Sequence, residues 1–202
     1  MIDIFSNIRD SFLTLSYFEL TAVFLSILYL LLAIRQNIWC WICAFFSTLI
    51  YTILFFDSSL FMSSLLNAYY LIMSFYGFYI WKYGNKENNK VLKISSLSVK
   101  TNFKIIISLS LFSLMIGYFM KNYTNASFAY LDSFITIFAL ATTFMMTRKI
   151  LENWIYWIFI DSASIYLYFQ KEFYFTSVLF LIYTILAIFA FITWKKEMKY
   201  EY

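Results

Sequence analysis

The chain repeats itself, in the same direction. Residues 19–82, moved forward by 113 positions, meet matching landmarks without a gap. Glu19 falls on Asp132, Arg35 on Arg148, Trp41 on Trp154, Phe56 on Phe169 and Tyr70 on Tyr183, and Trp81-Lys82 falls on Trp194-Lys195. Each copy holds three apolar stretches, and one further stretch lies between them. Three crossings leave a chain on the opposite face of a membrane, so a single extra helix returns the second copy to the orientation of the first. Parallel repeats related by an axis along the membrane normal place a substrate site between the halves. This 3+1+3 arrangement is the plan of a carrier.

Composition agrees. A chain that is 63% hydrophobic, with a mean hydropathy of +0.74, is too apolar for a soluble domain. Helical stretches of roughly 17–25 apolar residues cross a hydrocarbon core of about 30 Å. The stretches are 17–35, 38–56, 60–81, 103–120, 131–147, 153–169 and 173–194. With no proline and three glycines, nothing breaks them, and an unbroken helix satisfies its own backbone groups in lipid. The expected fold is an all-α integral membrane protein with seven transmembrane helices. It forms one domain over 1–202: repeat one at 17–82, a linker loop and helix at 83–128, and repeat two at 129–196.

Twelve of the fifteen Lys and Arg residues fall on one side of these spans. They are Arg35, the linker lysines from Lys82 to Lys104, Arg148, Lys149, and the lysines from Lys195 to Lys199. Arg9, Lys121 and Lys171 fall on the other. Positive loops stay in the cytoplasm, which predicts an N-out, C-in topology. The net charge of +4 is therefore a topology signal and gives no support to nucleic-acid binding. Segment 1–16 carries Asp3 and Asp10 where a signal peptide needs positive charge. Its Ile4, Phe5, Ile8, Phe12 and Leu15 fall at helical spacing, as in a surface amphipathic helix. The polar linker 82–102 lacks apolar periodicity and reads as a mobile cytoplasmic loop.

One helical face concentrates chemistry. In the sixth stretch Trp154, Trp157, Asp161, Ser164 and Tyr168 share an arc of about 80°, with Asn153 at its border. A carboxylate two turns inside a membrane helix costs roughly 2.5–3.5 kcal/mol, so it faces protein or water. Two indoles beside it form an electron-rich wall, over which a desolvated cation gains about 2 kcal/mol. A planar aromatic cation bearing hydroxyls suits such a face. The competing reading makes the tryptophans an interfacial belt and Asp161 an interhelical hydrogen-bonder. The pseudo-symmetric face of the second stretch carries Asn37, Trp41, Thr48 and Tyr51. The third adds Asn67, Tyr70, Ser74 and Gly77. Candidate substrate-binding residues are Trp41, Thr48, Tyr51, Asn67, Asn153, Trp154, Trp157 and Asp161. Gln36 and Asn37, beside Arg35, form either an inner gate or a polar loop.

Other features are structural. Trp81 reads as a belt residue. Cys40 and Cys43 sit on an apolar helix and read as packing. Glu19 and Asp132 open matching helices, where a carboxylate complements the helix dipole. No cofactor or metal is expected, and with no histidine in the chain the usual imidazole base is missing. An intramembrane enzyme would need a nucleophile–base pair or paired carboxylates. A channel would show rings of like charge. Neither pattern is present in the sequence, which leaves a sugar carrier as the plainest alternative within the transport class.

The run Arg35-Gln36-Asn37-Ile38-Trp39-Cys40-Trp41 resembles the second-helix motif of PnuC-type nicotinamide riboside transporters. Similar family patterns recur at Tyr130-Leu131-Asp132-Ser133-Phe134, from Thr147 to Trp154, and at Asp161-Ser162. The resemblance extends from about residue 17 to 196. It implies a bundle related in plan to the SWEET sugar carriers, facilitated uptake of nicotinamide riboside or thiamine through a bacterial inner membrane, and a substrate-binding role for Asn153, Trp154 and Trp157. SWEET-like carriers often hinge at helix prolines, which this chain lacks. Intracellular phosphorylation is expected to trap the solute, and the chain is expected to form a homo-oligomer.

Overall fold

A computed structural model describes residues 2–13, 15–57, 61–84, 92–124 and 127–200. Among them lie eight α-helices: α1 (Ile2–Leu13), α2 (Tyr17–Ile34), α3 (Cys40–Asp57), α4 (Phe61–Tyr83), α5 (Val99–Tyr123), α6 (Ala129–Thr147), α7 (Asn153–Gln170) and α8 (Tyr174–Tyr200). Helices α2 to α8 coincide with the seven apolar stretches within a few residues, the largest shifts being the earlier start of α5 and the longer C-terminal end of α8. Five of them, α2, α3, α5, α6 and α8, are long and apolar enough to cross a membrane. The other two, α4 and α7, carry more polar groups, including Ser64, Asn67 and Ser74 on α4 and Asn153, Asp161 and Ser164 on α7. The chain is an all-α, multi-pass membrane protein.

Local chemistry sets the helix ends. Ser16 and Glu19 form a reciprocal capping box at the start of α2, which satisfies two backbone donors that a helix leaves open. Asp132 lies in the first turn of α6, whose N-cap makes no side-chain hydrogen bond. Both α2 and α6 end in a left-handed residue, Gln36 at φ 51° and Lys149 at φ 52°. The following amide returns to the helix, Asn37 N–H to Leu32 C=O at 2.9 Å and Ile150 N–H to Met145 C=O at 3.1 Å. Glycine usually takes this position because a side chain there is strained.

The packing has the symmetry of the sequence repeat. Contacts run α2 to α3, α3 to α4, α4 to α6, α6 to α7, α7 to α8, and α8 back to α2. This closed ring maps onto itself when α2, α3 and α4 exchange with α6, α7 and α8. Helix α5 lies outside it against α6, and α1 lies against α8, with Phe12 and Phe175 ring centres 5.9 Å apart. Individual bonds recur at the same offset. Ser64 Oγ donates to Thr52 C=O at 2.8 Å, and Ser177 Oγ donates to Ile165 C=O at 3.1 Å. Trp41 meets Trp81 edge-on at 5.3 Å and 88°, and Trp154 meets Trp194 at 5.3 Å and 87°. Small residues such as Ala22, Ala33, Ser47, Ala187 and Ala190 are buried, as expected where membrane helices approach closely.

The linker departs from expectation over its second half. Ile94 is fully buried, and Ser95 exchanges backbone hydrogen bonds with Lys149 and Leu151 at 3.0 and 2.8 Å. Glu152 accepts from the Leu97 amide at 3.0 Å and from the Ser96 hydroxyl. Residues 92–98 are thus docked on the α6–α7 turn. Ile94, with Leu92 and Leu97 packed beside the core, backbone pairing and the Glu152 carboxylate hold them, and none of these leaves a periodic signature. The mobile-loop reading of 85–91 lies outside the described residues, as do the side chains of Ile4 and Phe5 on α1.

Candidate site in the ring between the third and seventh helices

Among the described residues, the backbones of α3 and α7 do not approach each other. They face each other across the ring, each flanked by its neighbours. On α7 the predicted face points inward: Asn153, Trp154, Asp161 and Ser164 are buried, Asp161 to 4% exposure, while Trp157 and Tyr168 are half-buried. With a Trp154 exposure of 1%, the belt reading does not hold for it. Asp161 interacts electrostatically with the phenols of Tyr70 on α4 and Tyr183 on α8. Tyr183 is also hydrogen-bonded to Ser26 on α2. Tyrosines from two helices therefore lie near one interior carboxyl group, and one of them is bonded on to a third helix.

On α3, Trp41 is buried and Thr48 and Tyr51 are half-buried. Trp41, Trp81, Trp194 and Trp154 form a continuous chain of indoles from α3 through α4 and α8 to α7, the central pair 6.2 Å apart. Several polar atoms here have no partner: Nε1 of Trp41, Trp81 and Trp154, Oδ1 of Asn153 and Oγ1 of Thr142. A buried polar group left unpaired costs about 1–3 kcal/mol, so each of these atoms is open to a polar partner.

Not every predicted residue offers a free group. Thr48 donates to Ala44 C=O at 2.7 Å, and Asn67 Nδ2 donates to Ser63 C=O at 2.9 Å, each on its own helix. Tyr51 stacks on Phe55 at 5.7 Å. Asn37 is exposed and accepts from the Trp39 amide at 3.0 Å, which makes it a turn-former. Gln36 accepts from Lys149 Nζ at 2.8 Å and donates to Glu197. A cavity of about 600 Å³ lined by Tyr69, Lys104, Leu140 and Phe144 lies between α4, α5 and α6, away from all of these residues.

The sequence matches a family model described as nicotinamide mononucleotide transporter over residues 16–196. The chain belongs to that family. It is similar to the nicotinamide riboside transporter PnuC of Escherichia coli (strain K12), 23% identical over 198 residues that cover 86% of this chain and 83% of the relative. The nicotinamide riboside transporter PnuC of Shigella flexneri gives the same identity and coverage. The fold of this chain matches the crystal structure of the vitamin B3 transporter PnuC with a TM-score of 0.76 at 17% identity, over 97% of this chain and 90% of the other. The family resemblance of the Arg35–Trp41 run thus rests on the whole chain.

Two residues carry roles that sequence reasoning missed. Trp81 is not a belt residue: at 6% exposure it sits in the buried cluster, between Trp41 and Trp194. Its end-of-helix position suggested an interface, but its match to Trp194 was the better signal. Lys149, counted among the topology charges, is 2% exposed and holds its ammonium 4.6 Å from the Trp81 ring centre. Its match to Gln36 under the repeat offset was the available clue.

Proposed function

We propose that this chain carries nicotinamide riboside across the inner membrane of a bacterium by facilitated diffusion. Helices α2 to α8 are the seven spans, N-out and C-in, arranged as two parallel repeats, 17–82 and 129–196, joined by a loop and helix at 83–128. The protein is a carrier without catalytic chemistry and works as a homo-oligomer. Phosphorylation inside the cell traps the solute and drives net uptake.

One observation carries this reading. Asp161 is buried on the same inward face as Asn153 and Trp154, whose Oδ1 and Nε1 have no partner. Nicotinamide riboside is a flat, permanently charged ring joined to a sugar. The pyridinium stacks against Trp154 or Trp157, where a cation gains up to about 2 kcal/mol, and Asp161 supplies the counter-charge. Ribose hydroxyls meet Asn153, Asn67 Oδ1 and Tyr51, while Trp41 closes the opposite side and Thr48 shapes it. Asp161 also favours the riboside over the mononucleotide, whose phosphate it repels. Gln36, with Asn37 in the same turn, closes the inner end through its bonds to Lys149 and Glu197.

Uptake of labelled nicotinamide riboside into proteoliposomes tests the mechanism. The prediction is saturable, downhill entry that stops at equal concentrations and is unchanged by a protonophore. Accumulation driven by a proton or sodium gradient contradicts facilitated diffusion. Preferential uptake of thiamine or of the mononucleotide contradicts the substrate.

A further inference from the structure

The basic end of the ring holds a charge, Lys149, and two indoles, Trp81 and Trp194, beyond the Asp161 face, and shares Trp41 and Trp154 with it. Lys149 is a left-handed, 2% exposed residue at the α6–α7 turn. Its ammonium lies 4.6 Å from the Trp81 ring centre and donates to Gln36 Oε1 at 2.8 Å. Gln36 Nε2 passes the link to Glu197. This relay ties the end of α2, the α6–α7 turn and the end of α8, so it joins both repeats. Beneath it lie the four indoles. The Trp194 N–H donates to Ala33 C=O at 3.1 Å, while those of Trp41, Trp81 and Trp154 have no partner. The cluster therefore holds one cation against a ring face and presents three buried donors that lack acceptors.

Resting on the carrier reading above, we propose that the Trp81 end of the tryptophan cluster is a second organic-cation subsite, on the cytoplasmic side of the Asp161 face and sharing Trp41 and Trp154 with it. Lys149 fills it as a tethered cation until the solute cation displaces it. A flat cation with hydroxyl or carbonyl oxygens matches both halves of the cluster: its charge replaces the ammonium over Trp81, and its oxygens accept from the indole N–H groups. Once displaced, Lys149 releases Gln36, and the α2 end separates from the α6–α7 turn. Solute exit and opening of the inner end are then one event. An uncharged solute of the same shape lacks the attraction to the ring face and competes poorly with Lys149.

The test compares wild type with Lys149→Met and Lys149→Arg, and Lys149→Gln is a second neutral variant should the methionine chain fold poorly. Calorimetry measures binding of nicotinamide riboside and of its reduced, uncharged form. Removing the tethered charge is expected to tighten binding of the cation by about tenfold and to leave the uncharged form within about twofold, with Lys149→Arg resembling wild type. No change, or equal tightening of both, overturns the proposal.

A second readout needs no riboside. Cys40 is buried within the same cluster. In a Cys43→Ser background, its modification by a cationic methanethiosulfonate is expected to accelerate about tenfold in Lys149→Met relative to a neutral reagent of similar size. Equal acceleration, or none, contradicts a cation subsite. A protein that fails to bind nicotinamide riboside yet gives this charge-selective labelling refutes the substrate assignment and leaves the subsite standing.

Discussion

Lys149 reaches back 113 positions to its own counterpart: its ammonium donates to Gln36 Oε1 at 2.8 Å. Both residues end the first helix of a repeat in the same left-handed conformation, so the bond crosses the axis that relates the two halves. A non-glycine residue in that conformation costs of order 1–3 kcal/mol and persists where its surroundings over-determine it. Here the surroundings are a shared hydrogen bond, the Glu197 carboxylate and the Trp81 ring. The same contact that closes the ring at its basic end also joins its two repeats.

Gly77 keeps Trp41 in place. A Cβ on Gly77 would overlap the six-membered ring of the Trp41 indole, and that ring has Tyr29 and Trp81 on its other sides. Gly77→Ala is expected to destabilise the protein by about 1–3 kcal/mol, as overpacked cores do. A fall in the thermal unfolding midpoint of detergent-purified protein checks this. An unchanged midpoint would mean that the Trp41 ring has room to move.

The docked linker makes a separate prediction. Ile94 is fully buried in the cluster that holds Trp154 and Trp194. Ile94→Ala should cost about 2 kcal/mol or more through lost transfer energy and the cavity left behind. Lys100→Ala, at an exposed position, should stay within about 0.5 kcal/mol of wild type. Equal unfolding midpoints for the two variants would show that segment 92–98 contributes nothing to the fold.

Charge at Asp161 should decide between cationic and neutral solutes. Asp161→Asn preserves shape and removes the charge. Two unit charges about 4 Å apart interact by roughly 4 kcal/mol near a protein surface, so affinity for nicotinamide riboside is expected to drop tenfold or more. Affinity for the reduced, uncharged form should change by less than about twofold. Equal losses for both solutes would reduce Asp161 to a hydrogen-bonding role.

The helices were legible because lipid imposes one pattern on every span, and the repeat was legible because duplicated landmarks such as Trp41 and Trp154 kept their spacing. The inward face of α7 was legible as well: Asp161 cannot face hydrocarbon, and helical geometry carries Asn153, Trp154 and Ser164 in with it. What escaped was tertiary. Ile94 sits with Leu92 and Leu97 in a stretch broken by Lys93 and serines, without helical or strand periodicity, and the pairing partner of Ser95 near Ile150 is distant in sequence. The left-handed turns at Gln36 and Lys149 carry no glycine to announce them. Lys149 read as a loop charge because no local pattern says that a lysine beside Arg148 turns into the protein while its neighbour stays exposed on Tyr76 and Phe144. The donors of Thr48 and Asn67, engaged on their own helices, were equally invisible, since backbone capture of a side chain depends on its rotamer.

Binding of a planar cation by the inward face of α7 underlies the proposed transport. The most direct measurement is calorimetric binding of nicotinamide riboside to the purified protein, wild type against Trp154→Ala, with the exposed Trp39→Ala as a control for general loss of an indole. Saturable binding is expected, weakened at least about tenfold by Trp154→Ala and unchanged by Trp39→Ala. Binding unaffected by Trp154→Ala, or no binding to wild type at all, would contradict it.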